Sequence, residues 1–108
     1  MVIEEHFIGT SLDTELVEEL LPQFLSEMSS DFKNLLESFN RNNHTVVREV
    51  AHRMRGTAKV FGAFRIEKLA ETVELRVVTE GQPFLLESIE ELRTNIKIIN
   101  QEFKDRAA

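Results

Sequence analysis

Apolar residues recur at steps of three and four along nearly the whole chain, and no segment alternates with the period of two that a strand requires. Four Gly and two Pro among 108 residues leave few places where the chain can turn. Leu12, Leu16 and Leu20 mark a first helix, with Thr10 or Ser11 as its cap and Asp13 and Glu15 at its positive end. Pro22 either kinks that helix or sits in the first turn of a second, where its missing N–H costs nothing. Phe24, Leu25, Met28, Phe32, Leu35, Leu36 and Phe39 carry the second helix to about Asn40. A polar break over residues 40–44 supplies the next cap.

The third helix is expected over residues 45–61 on Val47, Val50, Met54, Ala58 and Phe61, with Gly62 ending it in the left-handed conformation. A fourth covers residues 65–79 on Ile66, Leu69, Ala70, Val73 and Val77, and stops at Gly81. Pro83 opens a fifth, whose stripe is Leu85, Ile89, Leu92, Ile96, Ile99 and Phe103. Short connections make successive helices antiparallel, so the expected fold is all-α: an up-and-down antiparallel helical bundle with a four-helix core plus a short N-terminal helix. One domain fills residues 1–108, with residues 1–10 as an arm and residues 12–105 as the bundle.

Composition removes several function classes. The formal net charge of -6 argues against nucleic acid, which selects a basic face. Without cysteine there is no disulfide framework and no thiolate ligand or nucleophile. No apolar run reaches the roughly 20 residues of a membrane span, and the start lacks the basic and apolar regions of a signal peptide. The cytoplasm is the expected location, and Met1 is read as the start of a stand-alone protein.

The charge is unevenly spread. Residues 48–68 carry six Lys or Arg against two Glu, a local +4 in an otherwise acidic chain. At about 100° per residue, His52 lies roughly 200° from both Val50 and Met54 and so points away from the core. Arg48, Arg55, Gly56 and Lys59 fall within about 60° of it. A neutral imidazole is a nucleophile that can take a phosphoryl group from an acyl phosphate. Arg55 and Lys59 can offset charge on the phosphoryl oxygens. Gly56 costs the helix about 1 kcal/mol relative to Ala, a cost repaid where a large partner must come close.

The run Ala51-His52-Arg53-Met54-Arg55-Gly56-Thr57-Ala58-Lys59-Val60-Phe61-Gly62-Ala63 resembles the signature of histidine-containing phosphotransfer (HPt) domains. The matching features are His52, the apolar Met54, Arg55 at +3, the small Gly56 at +4 and Gly62 at +10, with Ile66, Leu69 and Val73 matching the family's next helix. Lys is commoner at +3; Arg keeps the charge and changes the geometry. The resemblance spans roughly residues 12–105. It implies a phosphorelay intermediate that accepts a phosphoryl group on His52 from one receiver-domain aspartate and passes it to another. It implies no ATP site and no cofactor on this chain, the magnesium belonging to the receiver. Response-regulator receiver domains and a hybrid sensor histidine kinase are the implied partners of a monomeric carrier. Arg55 and Lys59 then stabilise the phosphoryl group and Gly56 gives clearance. Glu74 stands where some members place a polar residue that reaches back to the imidazole. Leu12 and Leu16 stand where the docking surface lies.

Other classes compete. Glu49-Val-Ala-His52 has the Glu-x-x-His spacing of a di-metal bundle, but no second copy precedes His6 or His44. A sensor kinase's dimerising module usually has an acidic residue after its histidine, where this chain has Arg53. A non-catalytic helical adaptor needs no cation-flanked, exposed histidine. His6 and His44 are read as an arm residue and a residue near a helix start. Phe61 and Phe64 are read as core or flanking packing. Arg48, Arg53 and Arg65 are read as solubilising residues or partners of carboxylates such as Glu49.

Overall fold

A computed structural model describes residues 14–79 and 82–107. Within them the chain forms α1 (Thr14–Asn40), α2 (His44–Phe61), α3 (Phe64–Thr79) and α4 (Gln82–Ala107), and no strand. Only residues 41–43 separate α1 from α2, and only 62–63 separate α2 from α3. Each helix packs on its neighbours in the chain, and α1 closes the ring against α4. The bundle is therefore up-and-down, as the periodicity implies. No helix among the described residues is long and apolar enough to cross a membrane.

The short N-terminal helix is the point of difference. The segment expected to start near Leu12 is, from Thr14 onward, the first part of α1, which continues through Pro22 to Asn40. Residues 1–13, and with them Leu12 and His6, lie outside the described residues. Pro22 is exposed while Leu21, Phe24 and Leu25 around it are buried. The hydrogen bond that proline removes thus lies on the wet side, and the buried stripe carries the helix past it.

Leu21, Phe24, Met28 and Leu35 of α1 meet Val47, Val50, Met54 and Ala58 of α2 in the core. Ile66, Ala70 and Val73 of α3 and Leu85, Ile89, Leu92 and Ile99 of α4 complete it. Burial of each large side chain contributes about 1.5–3 kcal/mol. Phe61 packs on the core with its ring centroid 5.2 Å from that of Phe24. Phe64 does not: it is exposed at the start of α3, with the Lys68 ammonium 5.8 Å from its centroid. Ala51 and Ala63 are also buried, although neither lies on the expected stripe.

Two turns fix the azimuth of α2, and hence which residues it presents. Asn42 takes a left-handed φ of 57°, which Asn tolerates better than most residues, and the Asn43 side chain accepts the Val46 N–H at 3.4 Å. At the other end Gly62 has φ 74° and ψ 21°. Its N–H donates to the Lys59 carbonyl at 3.2 Å, and the Ala63 N–H donates to the Ala58 carbonyl at 2.8 Å. These are the two bonds of a Schellman ending. Gly62→Ala is expected to lower the unfolding free energy by about 1 kcal/mol, because only glycine takes this φ without strain. Urea denaturation should show a lower midpoint at unchanged slope; an unmoved midpoint contradicts this role.

Polar contacts reinforce two seams. Arg53 pairs with Asp31 of α1, Nε at 3.2 Å and Nη2 at 3.0 Å from Oδ1, and not with Glu49 of its own helix. Arg76 of α3 donates to the Phe84 carbonyl at 3.0 Å and to the buried Ser88 hydroxyl at 2.8 Å, tying α3 to the start of α4.

Candidate functional site

Helix α2 turns Val47, Val50, Ala51, Met54 and Ala58 into the core. Geometry then leaves the opposite face to solvent, and His52 stands in the middle of it with its side chain 69% exposed. Arg48, His52, Arg55 and Lys59 follow one another at steps of four, three and four, a single stripe along the helix. The acidic counterpart comes from α3, whose antiparallel course brings Glu74 alongside His52.

Glu74 Oε1 lies 2.9 Å from His52 Nδ1, and its Oε2 lies 3.3 Å from Arg55 Nη1. One carboxylate therefore holds both residues. Its side chain is only 16% exposed, against 41% for Arg55. An ionised carboxylate accepts hydrogen bonds and donates none, so Nδ1 must carry the ring proton. In the neutral ring the lone pair is then on Nε2. Near-surface pairs of this kind contribute at most about 1 kcal/mol each to stability. Their effect is on orientation: they fix which nitrogen is protonated and which way the ring faces.

Glu74, Arg55 and His52 are thus brought together. Lys59 and Arg48 are exposed on the same stripe and make no ion pair among the described residues. Gly56 lies one turn beyond His52, and a Cβ built there meets nothing within 4 Å. No packing inside the bundle requires a glycine at that place.

Of the docking residues expected on the first helix, Leu12 lies outside the described residues, and Leu16 belongs to α1 with its side chain undescribed. Helix α3, which carries Glu74, also bears exposed apolar side chains. Leu75 follows Glu74 and is 56% exposed, and Val78 one turn later is 58% exposed. Both fall off the helix's buried stripe of Ile66, Ala70 and Val73, which is the sequence signal that marks them. Among the described residues, no three His, Asp or Glu side chains come together as a metal site would need, and Glu49 stays on the exposed face.

The site therefore presents an oriented imidazole at an open helix face lined with cations. The family model described as Hpt domain matches residues 19–102 of the chain. No curated protein and no solved structure matches the chain.

Proposed function

The chain belongs to the Hpt domain family, and on that premise we propose that it is a phosphorelay intermediate whose phosphoryl acceptor is His52. Family membership gives a phosphocarrier role in two-component signalling, with receiver domains and kinases as partners. The exposed His52 ring, with Nδ1 hydrogen-bonded to Glu74, is the observation that carries the finer reading.

In that reading the aspartyl phosphate of a receiver docks over α2. The Nε2 lone pair attacks phosphorus, the N–P bond forms as the O–P bond breaks, and the receiver's aspartate leaves as a carboxylate. Arg55 and Lys59 lie on the stripe where the phosphoryl oxygens arrive and offset their charge. Gly56 leaves the backbone bare for the partner, while Leu75 and Val78 offer apolar area beside it. The reverse sequence, with a second receiver, unloads the carrier. Magnesium is supplied by the receiver.

A receiver domain carrying a labelled phosphoryl group is expected to pass label to this chain, in a bond that is acid-labile and alkali-stable. A label stable to acid, or no transfer from any receiver of the source organism, contradicts the proposal. Arg55→Ala should slow transfer on the order of tenfold, since one cation among several at an open site is removed. Its melting temperature should barely move, because the side chain is half in solvent. Equal transfer rates would take Arg55 out of the reaction.

A further inference from the structure

The reading of His52 as acceptor leaves open what the ring does once it is loaded, and the contact to Glu74 bears on that. We propose that Glu74 is a proton-holding residue: it keeps the Nδ1 proton on the phosphorylated ring, so that the carrier releases its phosphoryl group with neutral imidazole as the leaving group. The inference rests on the function proposed above.

Chemistry makes the proton decisive. In the unloading step an aspartate oxygen of the receiver attacks phosphorus, the O–P bond forms, the N–P bond breaks, and its electron pair returns to Nε2. If Nδ1 still carries its proton, the ring that leaves is neutral imidazole. If that proton has gone, the ring leaves as imidazolate, a far poorer leaving group. A phosphorylated imidazole therefore transfers readily only while its second nitrogen is protonated.

The surroundings of His52 pull in both directions. On its own helix Arg48, Arg55 and Lys59 share its stripe and place positive charge around it. Arg53 is engaged with Asp31 of α1, and Glu49 lies on the outer side of α2. From α3 come Glu71, one turn before, and Glu67 beyond it, neither hydrogen-bonded to the ring, and then Glu74 at 2.9 Å from Nδ1. Glu74 is the group in direct contact. Arg55, 3.3 Å from its other oxygen, keeps that carboxylate aimed. Glu74 thus opposes the cations at the one atom where the proton sits. A glutamine could not do this, because its amide accepts from a protonated Nδ1 and donates to a deprotonated one about equally well.

The test compares wild type, Glu74→Gln and Glu71→Gln, each loaded by the same phosphorylated receiver and separated from it. Loss of the phosphoryl group is then followed, to water and to fresh receiver, across pH. At the acid end of the profile, where every ring holds its proton, the three rates should agree. At about pH 8 Glu74→Gln should release its phosphoryl group roughly fivefold more slowly than wild type, its profile displaced to lower pH, while Glu71→Gln follows wild type. A role confined to placing the ring would change the rates equally at every pH. Superimposable profiles for wild type and Glu74→Gln, or a uniform offset between them, overturn the inference and leave the acceptor assignment standing. Failure of wild type to load overturns the acceptor assignment itself.

Discussion

His52→Gln is expected to accept no phosphoryl group from any receiver domain, while folding as wild type does. Glutamine is close to histidine in reach, and its amide oxygen or nitrogen can still meet Glu74 and Arg55, but neither amide atom is a nucleophile toward phosphorus. Loss of the imidazole should therefore be complete and not graded. Stability should shift by less than about 0.5 kcal/mol, because the ring is 69% exposed and adds little buried area. Circular dichroism melts and labelling on the same preparations separate the two outcomes. Label persisting at wild-type level would move the acceptor to another residue.

Gly56→Leu should divide stability from function in the opposite sense to a core mutation. Leucine is about 0.8 kcal/mol better than glycine inside a helix, and a Cβ at this position meets nothing within 4 Å. The melting temperature should hold or rise by about 4 °C. Transfer from a receiver, in contrast, should fall on the order of 100-fold, since a bulky side chain one turn from the nucleophile displaces the reacting atoms from in-line contact. Stability equal or better with transfer lost is a pattern that no folding defect produces. Normal transfer by this variant would mean that the partner does not approach over Gly56.

The fold could be read from the chain because its signals are local. Steps of three and four set the helices, and the observed bounds of α2 and α3 fall within one residue of those expected. Gly62 stops α2 because glycine takes its left-handed φ at the least cost, and that preference is visible in sequence. Pro22 was ambiguous for a physical reason. A proline one turn into a helix and a proline mid-helix follow the same pattern, and the burial of Leu21, Phe24 and Leu25 on both sides decides between them.

Of the site, what lies on α2 was legible: His52, Arg55, Gly56 and Lys59 share a face by helical arithmetic alone. What depends on the register between helices was not. The pairing of Arg53 with Asp31, and of Arg76 with Ser88, follows from how far one helix slides against the next, which no periodicity encodes. Glu74 is expected only from the family resemblance. Its hold on both His52 and Arg55 is a property of the α2–α3 register.

Nitrogen and phosphorus NMR on the isotopically labelled chain, before and after loading by a phosphorylated receiver, tests the central claim most directly. Before loading, the His52 ring should carry its proton on Nδ1. Afterward, phosphorus should be coupled to Nε2 of His52. Coupling to Nδ1, or a phosphoryl group on any other residue, would contradict the account.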